Sequence, residues 1–304
     1  MTPPLFVVAV VATRGRPREL ARLLASLERV TGLGAAVIVD NGNETVVRDV
    51  VAAASLDTCY VASATNLGCG GGLALAERTA LDRFDGRLTH VWILDDDAVV
   101  PPDVLPVLID AMARTGADAA CPMIVGPQGR VGWFPGLLDA DAFRAIRTAR
   151  TPADYLASRG TEPVRFSWST GVSLLVARRA IDTLGVHRDD YWVRGEDLEF
   201  SLRITHRGTG IFVPTVTVQH LPPSDLSSGG RVEMLKQVAM LQNLAYTGVH
   251  LSHGRCLLRT IPGNVWRFVR AWPARHGITA ARALWRGAVL GRPAGRNGPR
   301  DASR

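Results

Sequence analysis

The sequence has no apolar stretch of the roughly 18 to 20 residues needed to cross a lipid bilayer. The opening run Leu5 to Ala12 has no positive charge before it and is followed by Thr13 and Arg14 instead of a small-residue cleavage site. We therefore expect it to be a buried first strand. The four cysteines form no CxxC pair, which is typical of reduced thiols. These absences favour a cytoplasmic protein.

The chain also lacks the common signatures of nucleotide-binding loops. It contains a single lysine, Lys236, and no GK[ST] string, which argues against a P-loop. The glycine-rich run NLGCGGG, Asn66 to Gly72, has Leu73 where a GxGxxG fingerprint would place its third glycine. Such glycines permit either a tight turn or a close approach of the backbone to a ligand at a helix N-terminus.

Composition and charge describe a large core with a basic end. With 304 residues, 47% of them hydrophobic, the chain can bury a substantial core. The formal net charge of +7 is uneven, because residues 255–304 contain eleven arginines and one acid. The charge therefore marks the C-terminal region, whereas the preceding part is slightly acidic.

Short apolar runs alternate with amphipathic periodicities, the pattern of parallel βαβ units. Predicted strands are Phe6 to Ala12, Ala36 to Val39, Thr58 to Ala62, Val91 to Leu94, Ser173 to Ala177 and Val213 to His220. Predicted helices begin at Pro17, near Val46, after the glycine run, at Val104 and near Gly195. The segment Pro122 to Trp168 shows no regular pattern.

Three consecutive acids, Asp95 to Asp97, end the apolar run VWIL. They repel one another unless a cation lies among them, and hard cations such as Mg²⁺ bind carboxylates together with substrate phosphates. A solvated turn or a helix N-cap before Pro101 is the alternative. Because ligands of open α/β sheets bind beyond the carboxyl ends of strands, the position favours a metal site and a nucleotide-diphosphate substrate.

A second acidic string, GEDLEF, places Glu196 and Asp197 at a predicted helix N-terminus. Such a pair suits general-base chemistry, and it also complements the helix dipole, an effect worth at most about 1 kcal/mol. His220 ends the last predicted strand, where it is either a metal ligand or a surface histidine.

In order and spacing, these motifs resemble glycosyltransferase family two over about residues 6–246. The strings are VVATRGRP, VIVDNG, NLGCGGG, DDD, STGVSLLVARRA, GEDLEF and the late His220. Within the family, the NLG loop, the triple Asp and RGED look most like bacterial galactofuranosyl- and rhamnosyltransferases that use polyprenyl-linked or glycolipid acceptors. The resemblance implies an α/β fold of the GT-A type, with a mostly parallel sheet flanked by helices. The residues that follow the match predict a C-terminal helical appendage.

The same resemblance implies a division of the chain. Residues 1–250 would form the GT-A domain, with a nucleotide-sugar-binding half (1–120) and an acceptor and catalytic half (121–250). Beyond the part that the resemblance covers, the residue pattern itself predicts a basic amphipathic helical region over residues 251–291, and the Arg-, Gly- and Pro-rich composition predicts a disordered tail over residues 292–304.

Site residues follow from the resemblance by position. Asp197 would be the catalytic base beside Glu196, and Mg²⁺ or Mn²⁺ would be held by Asp97, Asp95 and His220. The positions that match the nucleotide site are Thr13, Arg14, Asp40, Asn66, Gly68, Asp95 and Asp96. Asp40 would accept a hydrogen bond from the base imide. Trp168 and Trp192 would lie beside the sugar or acceptor, or else belong to the core.

The resemblance implies a metal-dependent inverting glycosyltransferase that uses a UDP- or dTDP-sugar, for cell-wall or natural-product synthesis. The acceptor would be a hydroxyl of a glycan, a lipid-linked sugar or a small molecule. A sugar-phosphate nucleotidyltransferase is the alternative, but it would need an early glycine-rich loop with a lysine. An inactive sugar-nucleotide-binding module is disfavoured by the intact acid set.

The arginine-rich end predicts two amphipathic helices. One apolar face comprises Val265, Phe268, Val269 and Trp272, and the second Ile278, Ala281, Leu284, Trp285 and Ala288, with Arg267, Arg270, Arg275 and Arg282 nearby. Basic helices of this kind suit an anionic membrane, so we expect peripheral contact with the inner membrane face. Core packing and nucleic-acid binding are the alternatives, and no nucleic-acid partner is expected. Homo-oligomerisation stays open.

Overall fold

A computed structural model describes residues 4–222, 230–272 and 276–295 of the chain. The described residues form a mixed sheet of ten strands with helices on both faces. The strands are β1 Val7–Thr13, β2 Leu33–Asp40, β3 Thr58–Ala62, β4 His90–Leu94, β5 Ala98–Val99, β6 Ala119–Val125, β7 Gly136–Leu137, β8 Val164–Trp168, β9 Ser173–Ala177 and β10 Gly210–His220. The α-helices are α1 Pro17–Leu27, α2 Thr45–Ala52, α3 Gly68–Phe84, α4 Val104–Thr115, α5 Ala140–Thr148, α6 Pro152–Arg159, α7 Arg178–Leu184, α8 Glu196–Arg207, α9 Arg231–His250, α10 Ile261–Ala271 and α11 Gly277–Ala288.

The N-terminal half has the predicted βαβ architecture. The strands β3, β2, β1 and β4 are neighbours in that order and pair in parallel. Successive residues of β1 point to opposite faces, so Val7 and Val11 join one buried apolar cluster while Val8 and Val10 join the other. Both faces of the sheet are covered, which accounts for the continuous apolar runs in its strands.

The C-terminal half makes the sheet mixed. Strand β9 lies antiparallel between β4 and β6, whereas β10 runs parallel to β6. The edge beyond β10 is formed by β8 and β7, both in antiparallel pairs. The predicted fold class is confirmed, although parallel pairing is confined to β1–β4 and the β6–β10 pair.

Regular structure also occupies the segment in which the sequence shows no pattern. Between Pro122 and Trp168 lie most of β6, all of β7 and β8, and the short helices α5 and α6. Helix α6 begins with a capping box in which Thr151 and Asp154 each bind the other's backbone amide. Its eight residues are too few for a strong periodic signal.

The C-terminal helices pack against α9 and are part of the described body. Phe268 of α10 is 1% exposed and forms a buried cluster with Leu241 and Ala280, against which Val265 and Trp272 also pack. The prediction of an outer apolar face is therefore wrong for Phe268 and Val265 of α10 and for Trp272, which directly follows this helix. They turn inward because α9 supplies an apolar surface that the sequence analysis did not include.

Other apolar side chains remain on the outside of α10 and α11. They are Trp266, Val269, Ile278 and Trp285, each more than half exposed. Arg275 and residues 296–304 of the predicted tail lie outside the described residues. Residues 292–295 are hydrogen-bonded, since Trp192 N donates to Ala294 O at 2.8 Å and Gln242 Nε2 to Arg292 O at 2.9 Å. Among the described helices, none is long and apolar enough to cross a membrane.

Candidate active site

The carboxyl ends of three strands lie on the same side of the sheet and bring the polar residues that follow them together. Strands β1, β4 and β10 all run in the same direction, since β9 is antiparallel to both β4 and β6. Asp95 follows the end of β4, and the short strand β5 pairs with β10 so that Ala98 lies opposite His220. Leu221 N also donates to Asp97 O at 3.0 Å. The topology therefore places the acid triplet beside the late histidine.

Asp95, Asp97 and His220 form a cluster that could hold a metal ion. One ligand atom from each lies within 4.8 Å of the others. His220 Nε2 is 2.9 Å from Asp97 Oδ1 and 3.7 Å from Asp95 Oδ2. The ring of His220 thus contacts Asp97 Oδ1 through Nε2, while its buried Nδ1 has no hydrogen bond among the described residues. Two carboxylates and an imidazole this close together fit Mg²⁺ or Mn²⁺.

The middle acid of the triplet has a different role. Asp96 accepts from Thr13 Oγ1 at 2.7 Å through one carboxylate oxygen and from Arg16 Nη1 at 2.9 Å through the other. Arg16 Nη1 also contacts Asp97 Oδ2 at 3.1 Å. Three adjacent acids are thus stabilised partly by a guanidinium, which sequence reasoning did not assign. Both oxygens of Asp96 have protein partners, and a nucleotide-binding role for Asp96 stays a prediction.

Electrostatics differ along the triplet. Burial, followed by the charge of Asp97, raises the pKa of Asp95. Burial also tends to raise the pKa of Asp97, but the hydrogen bond and charge of His220 together with Arg16 outweigh it, so the net pKa is lowered. Asp97 is therefore the member best held as a carboxylate, the form that binds a cation.

The acid pair Glu196 and Asp197 begins α8 after a turn held by unusual backbone geometry. Arg194 and Gly195 both have positive φ angles, of 60° and 100°. Asn243 Nδ2 donates to Arg194 O at 2.7 Å, and a Cβ at Gly195 would lie 3.2 Å from the Asn243 Cβ. The fully buried Asn243, which sequence reasoning missed, thus fixes the direction from which α8 starts.

Asp197 is held as an acceptor, whereas Glu196 is left partly unpaired. Asp197 Oδ2 accepts from Gly171 N at 3.2 Å and its Oδ1 from Leu198 N at 2.8 Å. Burial raises the pKa of Asp197, which makes it a stronger base. Within the described part of the chain, Glu196 Oε2 is buried without a hydrogen bond. Burial, followed by the Asp197 charge, raises the pKa of Glu196 to about 7.

The glycines of the run lie in the first turns of α3 and do not form an open loop. They pack against the backbone of the segment that contains Tyr191 and Trp192. A Cβ at Gly68 would overlap Trp192 O, and one at Gly70 would overlap Tyr191 O. Cys69 N donates to Trp192 O at 2.7 Å. The close approach expected of these glycines is therefore made to the segment that leads into the acid pair. Contact of Gly68 with a nucleotide stays a prediction.

Two other predicted nucleotide contacts have local partners. Asp40 is fully buried and accepts from Gly42 N at 2.8 Å, Glu44 N at 2.6 Å and Tyr60 Oη at 2.8 Å. A base imide could reach Asp40 only if this cover moved. Asn66 Oδ1 accepts from Gly68 N at 3.0 Å. The nucleotide roles of Asp40, Asn66, Thr13 and Arg14 are not decided by these contacts and stay predictions.

Asn41 is a residue that the sequence analysis missed. Its Nδ2 donates to Gly68 O at 3.0 Å and its Oδ1 accepts from Leu67 N at 3.2 Å. It therefore ties the end of β2 to the start of α3. The VIVDNG string contains it, but only the fold shows that its partner lies 26 residues further along.

Asp95 and His220 of the candidate metal cluster and the acid pair line one cleft of about 700 Å³, whereas Asp97 is not among its lining residues. Of the predicted site residues, Asp95, Glu196, Asp197, His220 and Trp168 line it. Trp192 is not among the lining residues and packs instead against Gly68. Trp133, which sequence reasoning missed, also lines the cleft, and its ring lies edge-on to His220 with centroids 4.1 Å apart. The cleft thus joins a candidate cation site, two carboxylates and two aromatic surfaces.

Comparisons with known proteins agree with this geometry. A family model described as "Glycosyl transferase family 2" matches residues 8–166, and one described as "Glycosyl transferase family group 2" matches residues 90–273. Galactofuranosyltransferase GlfT1 of Mycobacterium tuberculosis (strain CDC 1551 / Oshkosh) is 28% identical over 212 residues, which cover 68% of this chain and 66% of the relative. The N-acetylglucosaminyl-diphospho-decaprenol L-rhamnosyltransferase of the same strain is 29% identical over 243 residues, or 72% of this chain and 76% of the relative.

Solved structures share the GT-A fold at low sequence identity. The crystal structure of GalNAc-T7 with UDP, GalNAc and Mn²⁺ superposes with a TM-score of 0.60 and 15% identity, covering 92% of this chain and 54% of that one. The chain thus spans just under two thirds of GlfT1 and about half of the GalNAc-T7 chain. Because two family models each match more than half of its residues, the chain belongs to glycosyl transferase family 2.

Proposed function

We propose that this protein is a metal-dependent inverting glycosyltransferase that transfers a sugar from a UDP- or dTDP-sugar to an acceptor hydroxyl. The observation that carries the proposal is the single cleft lined by Asp95 and His220 of the candidate metal cluster and by the Glu196–Asp197 pair, with the buried Asp97 in contact with His220. A cation site beside a general base is what direct displacement of a nucleoside diphosphate requires.

Asp97, Asp95 and His220 would hold Mg²⁺ or Mn²⁺, which would offset the charge of the departing diphosphate. Arg16 neutralises Asp96 and contacts Asp97, so it keeps the ligand Asp97 oriented. The GalNAc-T7 structure was solved with UDP and Mn²⁺, which supports the same class of donor and cation for this chain.

Asp197 would accept the proton of the acceptor hydroxyl. Its two backbone donors fix the carboxylate, and its raised pKa strengthens it as a base. Glu196 would adjust that base, because a negative charge on either group raises the pKa of the other. A single displacement with one base inverts the anomeric configuration.

The acceptor side is supported by the names of the relatives, one of which acts on a sugar diphospho-decaprenol. A lipid-linked acceptor suits a protein that touches a membrane. The exposed side chains Trp266, Val269, Ile278 and Trp285, together with Arg270, Arg282 and Arg286 on the same two helices, form what we term the outer helix face. We propose that this face contacts an anionic membrane.

A nucleotide-sugar panel tests the donor assignment. Thermal unfolding should be shifted upward by one UDP- or dTDP-sugar in the presence of Mn²⁺, and much less after chelation, since a ligand that binds only the folded state stabilises it. The anomeric configuration of the product, measured by NMR, should be opposite to that of the donor. Stabilisation without metal, or a retained configuration, would contradict the proposal.

A further inference from the structure

One wall of the cleft comes from the C-terminal helical region and has no role in the function proposed above. Leu257 and Thr260 of the 3-10 segment Ser252–Thr260, and Asn264 and Arg267 of α10, line the same cleft as Asp197. Residues so far along the chain were expected to form an appendage outside the catalytic domain. Their position makes them candidates for binding a substrate.

Close packing fixes this wall in place. The missing side chain of Gly248 in α9 leaves room for Leu258, and that of Gly254 leaves room for Thr247. His253 Nε2 lies 3.1 Å from Glu199 Oε1 of α8, the helix that begins with the acid pair. The 3-10 segment is thus attached to both α8 and α9, so α10 has a defined position relative to Asp197.

The part of this wall that lies beside Asp197, the proposed general base, is apolar. Leu244 and Leu257 are buried together, and Leu198, Met240 and Trp168 pack against them. Leu198 directly follows Asp197, and all five residues line the cleft. An acceptor that bound along this wall would gain from an apolar portion, since burial of apolar surface is favourable by roughly 25 cal/mol per Å².

Arg267 supplies a charge that no acid of the described residues offsets. Its Nε has a long contact of 3.4 Å to Gly263 O of its own helix, and it forms no ion pair within residues 4–222, 230–272 and 276–295. The other cleft-lining arginine, Arg194, is paired with Glu233 at 2.8 Å. Asn264, one turn before Arg267, and Thr260, two turns before it, add an amide and a hydroxyl to the same wall; each donates one hydrogen bond to a backbone carbonyl, of Thr260 and Leu257 respectively.

We propose that Arg267, with Asn264 and Thr260, forms an anion subsite for a phosphate of the acceptor. The acceptor is then an anionic amphiphile, in which a phosphate joins the sugar to an apolar chain that follows Leu257 and Met240. The inference rests on the proposed transferase function and narrows its acceptor class. The donor diphosphate has its own cation site at Asp95, Asp97 and His220, so Arg267 is left for a second anion.

The test uses farnesyl phosphate and farnesol, both below the concentrations at which they form micelles. Each is titrated calorimetrically into full-length protein already saturated with Mn²⁺ and the nucleotide that stabilises it. Wild type should bind farnesyl phosphate at least about tenfold more tightly than farnesol, because the phosphate would form a charge-assisted hydrogen bond with Arg267 that farnesol cannot form. Arg267→Ala should lose this preference, and Arg267→Lys should keep part of it.

Arg259→Ala is the matched control, since Arg259 is exposed on the neighbouring 3-10 segment and does not line the cleft. It should retain the preference. The inference is overturned if Arg267→Ala binds like wild type, if Arg259→Ala loses as much affinity, or if farnesyl phosphate displaces the nucleotide. If no nucleotide binds the wild type, the proposed function fails first; normal nucleotide binding without dependence on Arg267 overturns this inference alone.

Discussion

Asp197 is the residue on which the proposed chemistry depends. The change to Asn keeps the size of the side chain but removes the base, at the expense of one backbone hydrogen bond from Gly171. We expect turnover to fall by about 10² to 10⁴, the usual contribution of a general base, with nucleotide affinity unchanged. Initial rates and calorimetry on the same preparation measure both. Near-normal turnover would move the role to another residue.

Glu196 should make stability depend on pH. Its pKa is raised from 4.5 to about 7 in the folded protein, so between these values the folded chain holds a proton that the unfolded chain releases. Stability should therefore fall as pH rises through this window, by at most about 3 kcal/mol. The change Glu196→Gln should remove this contribution to the fall in stability with rising pH.

Thermal unfolding of the metal-free protein between pH 5 and pH 8 measures this pH dependence of stability. The melting temperature of Glu196→Gln should rise relative to wild type as the pH increases, whereas the exposed Glu162→Gln should follow wild type. A constant difference across the range would show that Glu196 is ionised in the folded state throughout.

At the scale of single residues, the sequence predicts the site residues at strand ends better than it predicts the residues that hold the site in place. Asp95, Asp97 and His220 follow apolar runs, and the rule that ligands bind beyond strand ends brings them together. The partners of Arg16, Asn41, Asn243 and Trp133 lie 26 to 87 residues away along the chain, a separation that no local pattern records. Their residue types alone could not reveal these roles.

The N-terminal turns of α3 show how an element positions the site. Gly68 has φ of 74° and no room for a Cβ beside Trp192 O. The change Gly68→Ala must therefore strain the backbone of residue 68 and its packing against Trp192. We expect a loss of about 1–3 kcal/mol in the free energy of unfolding. Gly86→Ala, where no atom lies within 4 Å and φ is not positive, is the control and should be close to neutral. Denaturant titration compares them; equal stability of the two variants would contradict the packing role.

Elements that show a clear apolar run or amphipathic periodicity were predictable, whereas the short helices and the glycine-rich start of α3 were not. Strand β3 has its predicted bounds, and α1 begins at Pro17 as expected. For the glycine run, the sequence left open either a tight turn or a close backbone approach at a helix N-terminus. The run forms the start of α3, where only glycine permits the contact with Tyr191 and Trp192. Helix α9 supplies the surface that reverses the predicted face of α10.

For the whole molecule, the outer helix face predicts membrane binding. Trp266→Ala with Trp285→Ala should lower the fraction that sediments with anionic vesicles by about tenfold or more, because interfacial tryptophans bury apolar area. Higher salt should also weaken binding, since the screening length is only about 8 Å at physiological ionic strength. Both side chains are exposed, so the fold should be unaffected.

Leu138→Ala with Val46→Ala is the matched control, because these exposed apolar residues lie outside the C-terminal helices. This pair should sediment like wild type. If the tryptophan variant sediments equally well, or if wild type does not bind anionic vesicles, the outer helix face does not contact a membrane. Phe268→Ala is unsuitable for the test, since Phe268 is buried and its loss would disturb the packing of α10.

The central claim is that Asp97 holds a divalent cation against the donor diphosphate. Calorimetric titration of UDP and dTDP, with and without Mn²⁺, into wild type, Asp97→Ala and the exposed control Asp103→Ala tests it directly. We predict that Mn²⁺ strengthens binding of one nucleotide by about tenfold or more in wild type and Asp103→Ala, and has no such effect in a folded Asp97→Ala. Metal-enhanced nucleotide binding that persists unchanged in Asp97→Ala would contradict the account.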